Sequence, residues 1–275
     1  MLTAHRAAVC GQPIGHSLSP VIHTAGFAAA GLPNWTYTAI ECDAAGLPGL
    51  VHGLGPEWVG LSLTMPLKEV ALTLASAASP AARVVGVANT LVRQADGSWY
   101  ADNTDIPGMV RVLREAGVPD KPSVTVLGGG GTARAALAAC ARLGATEVTV
   151  ATRRPAVVDE LAPVAEVLGI TLIGRDFVSV TALESDAVIS TVPKGAADEL
   201  ALTAAWRPGT VLFDAIYDPW PTPLAAAADA NGVRVASGLD LLLAQALGQF
   251  EQFTGVVPAP EAPMRAALTA AAAMR

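Results

Sequence analysis

The stretch 123-SVTVLGGGGTARAALAACARL-143 decides the fold. Ser123–Leu127 is a β-branched run of strand length, 128-GGGG-131 permits a tight turn, and Thr132–Leu143 is a tract of small helix formers. A strand that passes through glycines into a helix opens a βαβ unit. Glycines 128, 130 and 131 let the backbone come close to a pyrophosphate. The helix behind them offers unpaired N–H groups and the positive end of its dipole. The spacing is not a strict GxGxxG, because Ala133 holds the third small position. Four glycines can also form an ordinary flexible turn, but their place between strand and helix favours a nucleotide site.

Working outward, Glu147–Ala151 is the next strand and runs into Thr152, Arg153 and Arg154. A chain built for NAD usually carries an acidic residue there for the ribose hydroxyls. Two guanidinium groups instead suit the 2′-phosphate of NADP, which a carboxylate would repel. NADP is therefore the expected cofactor, against the alternative of two solvated loop arginines. Ala187–Val192, Val211–Ala215 and Val233–Ala236 read as later strands of this sheet.

Before this unit, Arg6–Gly11, Thr36–Cys42 and Trp58–Thr64 read as strands, and Ser19–Ala30 as a helix with Pro20 just inside its start. Asp105–Glu115 is a linking helix. Beyond Gly238, Leu239–Phe253 and Glu261–Met274 are helical and are expected to pack back on the first domain. The expected fold is α/β with two domains. Residues 1–106 and 239–275 form a mostly parallel α/β substrate domain, and residues 107–238 form a Rossmann-type NADP-binding domain.

The bulk numbers bound the function. The chain has 275 residues, 52% apolar and 15% charged, enough to bury a large core. No run of about 18 strongly apolar residues suggests a membrane span, and the first residues lack a signal-peptide pattern. Three widely spaced cysteines suit reduced thiols in the cytoplasm. The four histidines show no metal-ligand spacing, so no metal site is expected. A net charge of −7 disfavours nucleic acid as a partner.

The first domain carries polar residues where ligands of open α/β sheets bind. In 11-GQPIGHSLSPVIH-23, Ser17 and Ser19 are two apart, and Ser19 locally reads best as the N-cap of the helix opening at Pro20. In 62-SLTMPLK-68, Thr64 ends a strand and Lys68, one of three lysines in the chain, sits just past it. Within 86-GVANTLV-92, Asn89 and Thr90 stand at the start of a strand-like run, and 102-DNTDIPG-108 puts Asp102 and Asp105 ahead of a helix that either could cap.

Together these segments resemble the shikimate dehydrogenase family over nearly the whole chain. GQPIGHSLSPVIH, LTMPLK, VANTL, DNTD, the glycine loop, TRR, 214-DAIYDPWPTPL-224 and 238-GLDLLLAQ-245 follow in family order. The resemblance implies NADP-dependent reduction of 3-dehydroshikimate to shikimate. It implies that Ser17, Ser19 and Tyr217 bind the substrate carboxylate, that Thr64, Asn89 and Gln245 contact ring hydroxyls, and that Lys68 and Asp105 are the catalytic pair. It further implies cofactor contacts from Gly128, Gly130, Gly131, Thr132, Ala133, Thr152, Arg153, Arg154, Thr191, Ile216, Gly238 and Leu241. A homodimer is the assembly it suggests. A lysine ammonium can stabilise the developing oxyanion and protonate it, with a carboxylate to orient it.

The chain departs from the family pattern at Ser62 (usually asparagine), Ile106 (often glycine), Thr152 (usually asparagine), Val157 (where an arginine is common) and Leu241 (often methionine). Alternatives are a sibling enzyme acting on quinate or aminoshikimate, a folate-linked dehydrogenase, or a non-catalytic NADP-binding paralogue. The last would be expected to lose Lys68 or Asp105.

Overall fold

Short apolar runs bounded by turns build the first sheet. The structure, a computed structural model, describes residues 4–274. In chain order the elements are β1 (His5–Gly11), α1 (Ser19–Ala29), β2 (Trp35–Glu41), α2 (Leu47–Gly53), β3 (Trp58–Leu63), α3 (Lys68–Leu74), β4 (Ala77–Ala78), α4 (Pro80–Val85), β5 (Thr90–Arg93) and β6 (Trp99–Asp102). They form a six-stranded sheet of order β2-β1-β3-β5-β6-β4. β1 pairs in parallel with β2 and β3, as strand–helix alternation dictates. The pairs β3–β5 and β5–β6 are antiparallel, which the alternation did not indicate. No helix separates β5 from β6. The turn between them carries Gly97 at φ 84°, and Asp96 Oδ1 accepts from the Ser98 N–H at 2.9 Å. A tight turn of that kind can only reverse the chain. Leu47, Leu61, Leu63, Leu67, Leu91 and Trp99 pack into one core of this unit.

The second unit is built from α5 (Asp105–Glu115), β7 (Val124–Leu127), α6 (Gly131–Arg142), β8 (Glu147–Thr152), α7 (Ala156–Leu168), β9 (Thr171–Asp176), β10 (Ala182–Leu183), β11 (Ala187–Ser190), α8 (Asp198–Thr203), β12 (Ala205–Trp206), β13 (Val211–Asp214), α9 (Pro223–Ala230) and β14 (Arg234–Ser237), with β10 and β12 paired as a small sheet of their own. Six strands pair in parallel in the order β14-β13-β11-β7-β8-β9. β7, β11 and β13 are buried throughout, the pattern of a sheet covered on both faces. Strand order reverses between β7 and β11, and open sheets of this type bind ligands at such a switch point, beyond the strand C-termini.

Two helices close the chain, α10 (Gly238–Thr254) and α11 (Glu261–Ala272), and α11 packs along α1. Gly26 makes this possible, since a Cβ there would stand 2.8 Å from the Phe250 ring and 3.0 Å from Met264 Sδ. By backbone contacts the chain divides into Met1–Thr104 with Leu242–Arg275, and Asp105–Leu241. Asp105 and Ile106 belong with the second unit because they open α5, which packs on α6.

His23 is fully buried on α1, stacked on Tyr37 at 4.2 Å between ring centroids and flanked by Phe27, Phe250 and Phe253. Burial lowers its pKa to about 3; Gln249 offsets a smaller part of that shift without completing a hydrogen bond of ordinary geometry. The unfolded chain takes up the proton near pH 6.5 and the folded chain only near pH 3. Between these values acid favours the unfolded state, so stability falls as pH is lowered, by at most about 1.4 kcal/mol per pH unit. Urea unfolding at several pH values should show this slope, and His23→Phe should flatten it.

Candidate active site

In the first unit the polar residues gather at the ends of β1, β3 and β5. Ser17 Oγ accepts the Ser19 N–H at 3.3 Å. Ser19 is not the N-cap expected of it: Leu18 occupies that position and makes no side-chain cap, while Ser19 is 3% exposed as the first residue of α1. The preceding serine has taken the capping task.

Thr64 follows β3, and its N–H donates to Cys10 O at 3.0 Å. The two strand ends come this close because residue 11 is glycine; a Cβ there would collide with Thr64 Cγ2. The Leu67 N–H donates to Thr64 O at 2.8 Å, a turn that sets half-buried Lys68 as the first residue of α3. Lys68 O in turn accepts the Ala88 N–H at 2.8 Å, which brings the lysine's backbone beside Asn89.

Asn89 is 3% exposed and fully engaged. Its Oδ1 accepts from Thr104 N and Thr90 Oγ1, each at 2.8 Å. Its Nδ2 donates to Thr104 Oγ1 at 3.0 Å and to Gln245 Oε1 at 3.4 Å. Asn89 and Gln245, 156 positions apart, are thus neighbours. Asp105, 6% exposed in the first turn of α5, and half-buried Tyr217 stand in the second unit. Asp102 accepts from the Asn103 N–H at 2.8 Å and from Gln252 Nε2 at 2.8 Å.

In the second unit the glycine loop has a division of labour. Gly128 has φ +104°, a conformation open to glycine, and a Cβ there would lie 2.7 Å from Thr191 Oγ1. That hydroxyl donates to Leu127 O at 2.9 Å, which fixes the crossing of the two strand ends. Gly129 faces Val157, whose Cγ1 occupies the space a Cβ would need. Sequence reasoning passed over Gly129 and saw Val157 only as a lost arginine. Val157 is 1% exposed and supports the loop from below. Gly130, at the N-cap position of α6, faces open space, which is room for a pyrophosphate. Gly131 and Thr132 start the helix, while Ala133 is buried against the sheet.

At the end of β8, Thr152 Oγ1 accepts the Arg154 N–H at 3.2 Å, so it organises the turn that presents exposed Arg153 and Arg154. Asp214 ends β13 and was missed. Its Oδ2 accepts from Thr222 Oγ1 at 2.7 Å, its Oδ1 from the Ile216 N–H at 3.2 Å, and burial raises its pKa. Ser190, Lys194, Asp214, Ile216 and Thr222 line one cavity at the ends of β11 and β13. Gly238 is glycine because Ala215 O fills the place of a Cβ, with Tyr217 Cδ1 3.2 Å away. Asp240 Oδ2 accepts from the Ser237 N–H and hydroxyl, capping α10 beside buried Leu241. Among the described residues no group of His, Cys, Asp or Glu could hold a metal ion. The open Gly130 turn and the two arginines fit NADP.

Residues 9–91 match the family model for the shikimate dehydrogenase substrate binding domain, and residues 238–269 that for the shikimate 5′-dehydrogenase C-terminal domain. The chain is 38% identical over 270 residues to the shikimate dehydrogenase (NADP(+)) of Caulobacter vibrioides, covering 94% of this chain and 92% of that one. The chain belongs to the shikimate dehydrogenase family. The crystal structure of Mycobacterium tuberculosis shikimate dehydrogenase is similar with a TM-score of 0.88 and 47% identity, over 97% of this chain and 99% of that one. The Thermus thermophilus shikimate 5-dehydrogenase, solved with NADP(H) and shikimate, gives a TM-score of 0.84 and 30% identity over 97% and 99%. As in other shikimate dehydrogenases, the substrate and NADP-binding units each contain a largely or wholly parallel sheet.

Proposed function

We propose that this shikimate dehydrogenase family member catalyses the reversible NADP-dependent reduction of 3-dehydroshikimate to shikimate, in the chorismate route to aromatic amino acids. The observation that carries the reading is the buried Asn89–Gln245 pair beside the Lys68 turn, a polar recognition surface where β3 ends and the antiparallel β5 begins. NADPH supplies the hydride when bound. Ser17, Ser19 and Tyr217 hold the substrate carboxylate, and Thr64, Asn89 and Gln245 hold ring hydroxyls. The Lys68 ammonium stabilises charge on the ketone oxygen and donates its proton there, and Asp105 orients it. Gly128, Gly130, Gly131, Thr132 and Ala133 form the pyrophosphate turn. Thr152, Arg153 and Arg154 take the 2′-phosphate, and Thr191, Ile216, Gly238 and Leu241 line the nicotinamide end.

Steady-state assays with shikimate, quinate, NADP and NAD test this. Turnover of shikimate with NADP is expected, and its absence would sink the reading. Changing Arg153 and Arg154 together to alanine should raise the KM for NADP by about 10- to 100-fold through lost charged hydrogen bonds. The KM for shikimate should stay put. Three free cysteines support a cytoplasmic setting, and the acidic net charge supports the absence of a nucleic-acid partner. Among the described residues no helix is long and apolar enough to cross a membrane. A homodimer is the proposed assembly, which light scattering would read.

A further inference from the structure

Strand β13 ends at Asp214, and the chain returns to that residue's carboxylate twice before α9 is under way. The Ile216 N–H donates to Oδ1 at 3.2 Å, and the Thr222 hydroxyl donates to Oδ2 at 2.7 Å. A carboxylate has no proton to give, so the threonine is the donor in the second bond. Its oxygen is left to accept the Ala225 N–H at 3.1 Å as the N-cap of α9. One side chain, 1% exposed, thus holds both ends of the segment 215–222.

The first residue of that segment is placed by other groups. The Ala215 N–H donates to Ser190 O at 2.9 Å, and Ala215 O sits where a Cβ of Gly238 would stand. Beyond Ala215 the packing beneath the segment is incomplete. Ile216, Pro219 and Thr222 line a cavity of about 210 Å³ together with Ser190 and Leu224. Side chains over such a space have few partner atoms below them. The path of the segment is then set by the hydrogen bonds at its two ends.

We propose that Asp214 is a positioning residue that closes residues 215–222 into a loop of fixed path, so that Ile216 meets the nicotinamide and Tyr217 the substrate carboxylate. The inference rests on the assignment of Ile216 and Tyr217 to the site. Two donors from opposite ends of a loop need two acceptor oxygens on one short side chain, which aspartate supplies. Asp214 acts through the loop and takes no part in proton transfer to the ketone.

Steady-state kinetics and ligand titration of three variants test it. Asp214→Asn keeps the shape of the side chain but offers one acceptor oxygen, so one of the two ties is lost. Its kcat for shikimate oxidation should fall about 10- to 100-fold, the effect of a displacement of about 1 Å at the reacting end. The KM for shikimate should rise about tenfold, because Tyr217 moves with the loop. The affinity for 2′,5′-ADP, which reaches only the arginine end of the cofactor site, should change by less than about twofold. Thr222→Val breaks the tie from the other side and should repeat this pattern. Thr222→Ser keeps both the hydroxyl and the cap of α9 and should behave as wild type. An Asp214→Asn enzyme with unchanged kcat would overturn the proposal. So would a fall in 2′,5′-ADP affinity in step with kcat, which would mark a general loosening of the second unit, or a Thr222→Ser variant as impaired as Thr222→Val. Ile216→Ala and Tyr217→Phe enzymes with unchanged kcat and KM would remove the site reading of this loop, and the positioning role with it.

Discussion

Replacing Lys68 by alanine is expected to lower kcat for shikimate oxidation by about 10³-fold while changing KM by less than about fivefold. The expectation follows from where the residue stands. Lys68 is the first residue of α3, where the helix dipole is positive and a cation is disfavoured by a few tenths of a kcal/mol. The dipole alone gives no reason for a lysine at this position, and the rate of the alanine variant reads its chemical part. Lys68→Arg separates the two parts of its task. A guanidinium keeps the charge but does not release its proton, so it should recover little of the rate in the oxidising direction. A kcat for Lys68→Ala within about tenfold of wild type would show that the proton moves elsewhere.

Gly129→Val is expected to abolish measurable NADP saturation and to lower the melting temperature by several degrees. Val157 is 1% exposed and its Cγ1 already fills the space beyond the Gly129 Cα. A branched residue has no rotamer that avoids such a collision, and overpacking of this kind costs about 1–3 kcal/mol. The backbone must shift, and the loop it belongs to is the one that faces the pyrophosphate. Val157→Ala in the same chain should recover part of the melting temperature, because the crowding is pairwise. Gly130→Ala makes the opposite case: its Cβ meets open space, so the fold should hold while the KM for NADP rises. Thermal melts with and without NADP, and NADPH fluorescence titration, read both variants. A Gly129→Val protein that binds NADP normally would sink this account of the loop.

The strand–glycine–helix junction at 123–143 was legible because each of its signals is local: β-branched residues, then glycines, then alanines. α5 was legible for the same reason and runs over Asp105–Glu115 as read. The direction of β5 was not, because strand–helix alternation says nothing about a hairpin enclosed within it. Ser19 was misread because a serine ahead of Pro20 is a good cap in isolation, and only the folded loop shows Ser17 taking the N–H. Gln249 and Ser62 are 187 positions apart, and no window of sequence holds both. The Gln245–Gln249–Gln252 spacing could have marked a polar helix face, yet not what the face meets. The parts assigned to Asp105 and Tyr217 rest on family resemblance, since a lone acid or phenol names no substrate.

Ser62 sets a rule for redesigning this enzyme. Its hydroxyl stands 2.7 Å from Gln249 Oε1 of α10 and both side chains are buried, so the two positions share one enclosed space. A library that restores the common asparagine at 62 while keeping Gln249 asks two amides to occupy space built for an amide and a hydroxyl. Substrate-range engineering here has to vary both positions as a single unit.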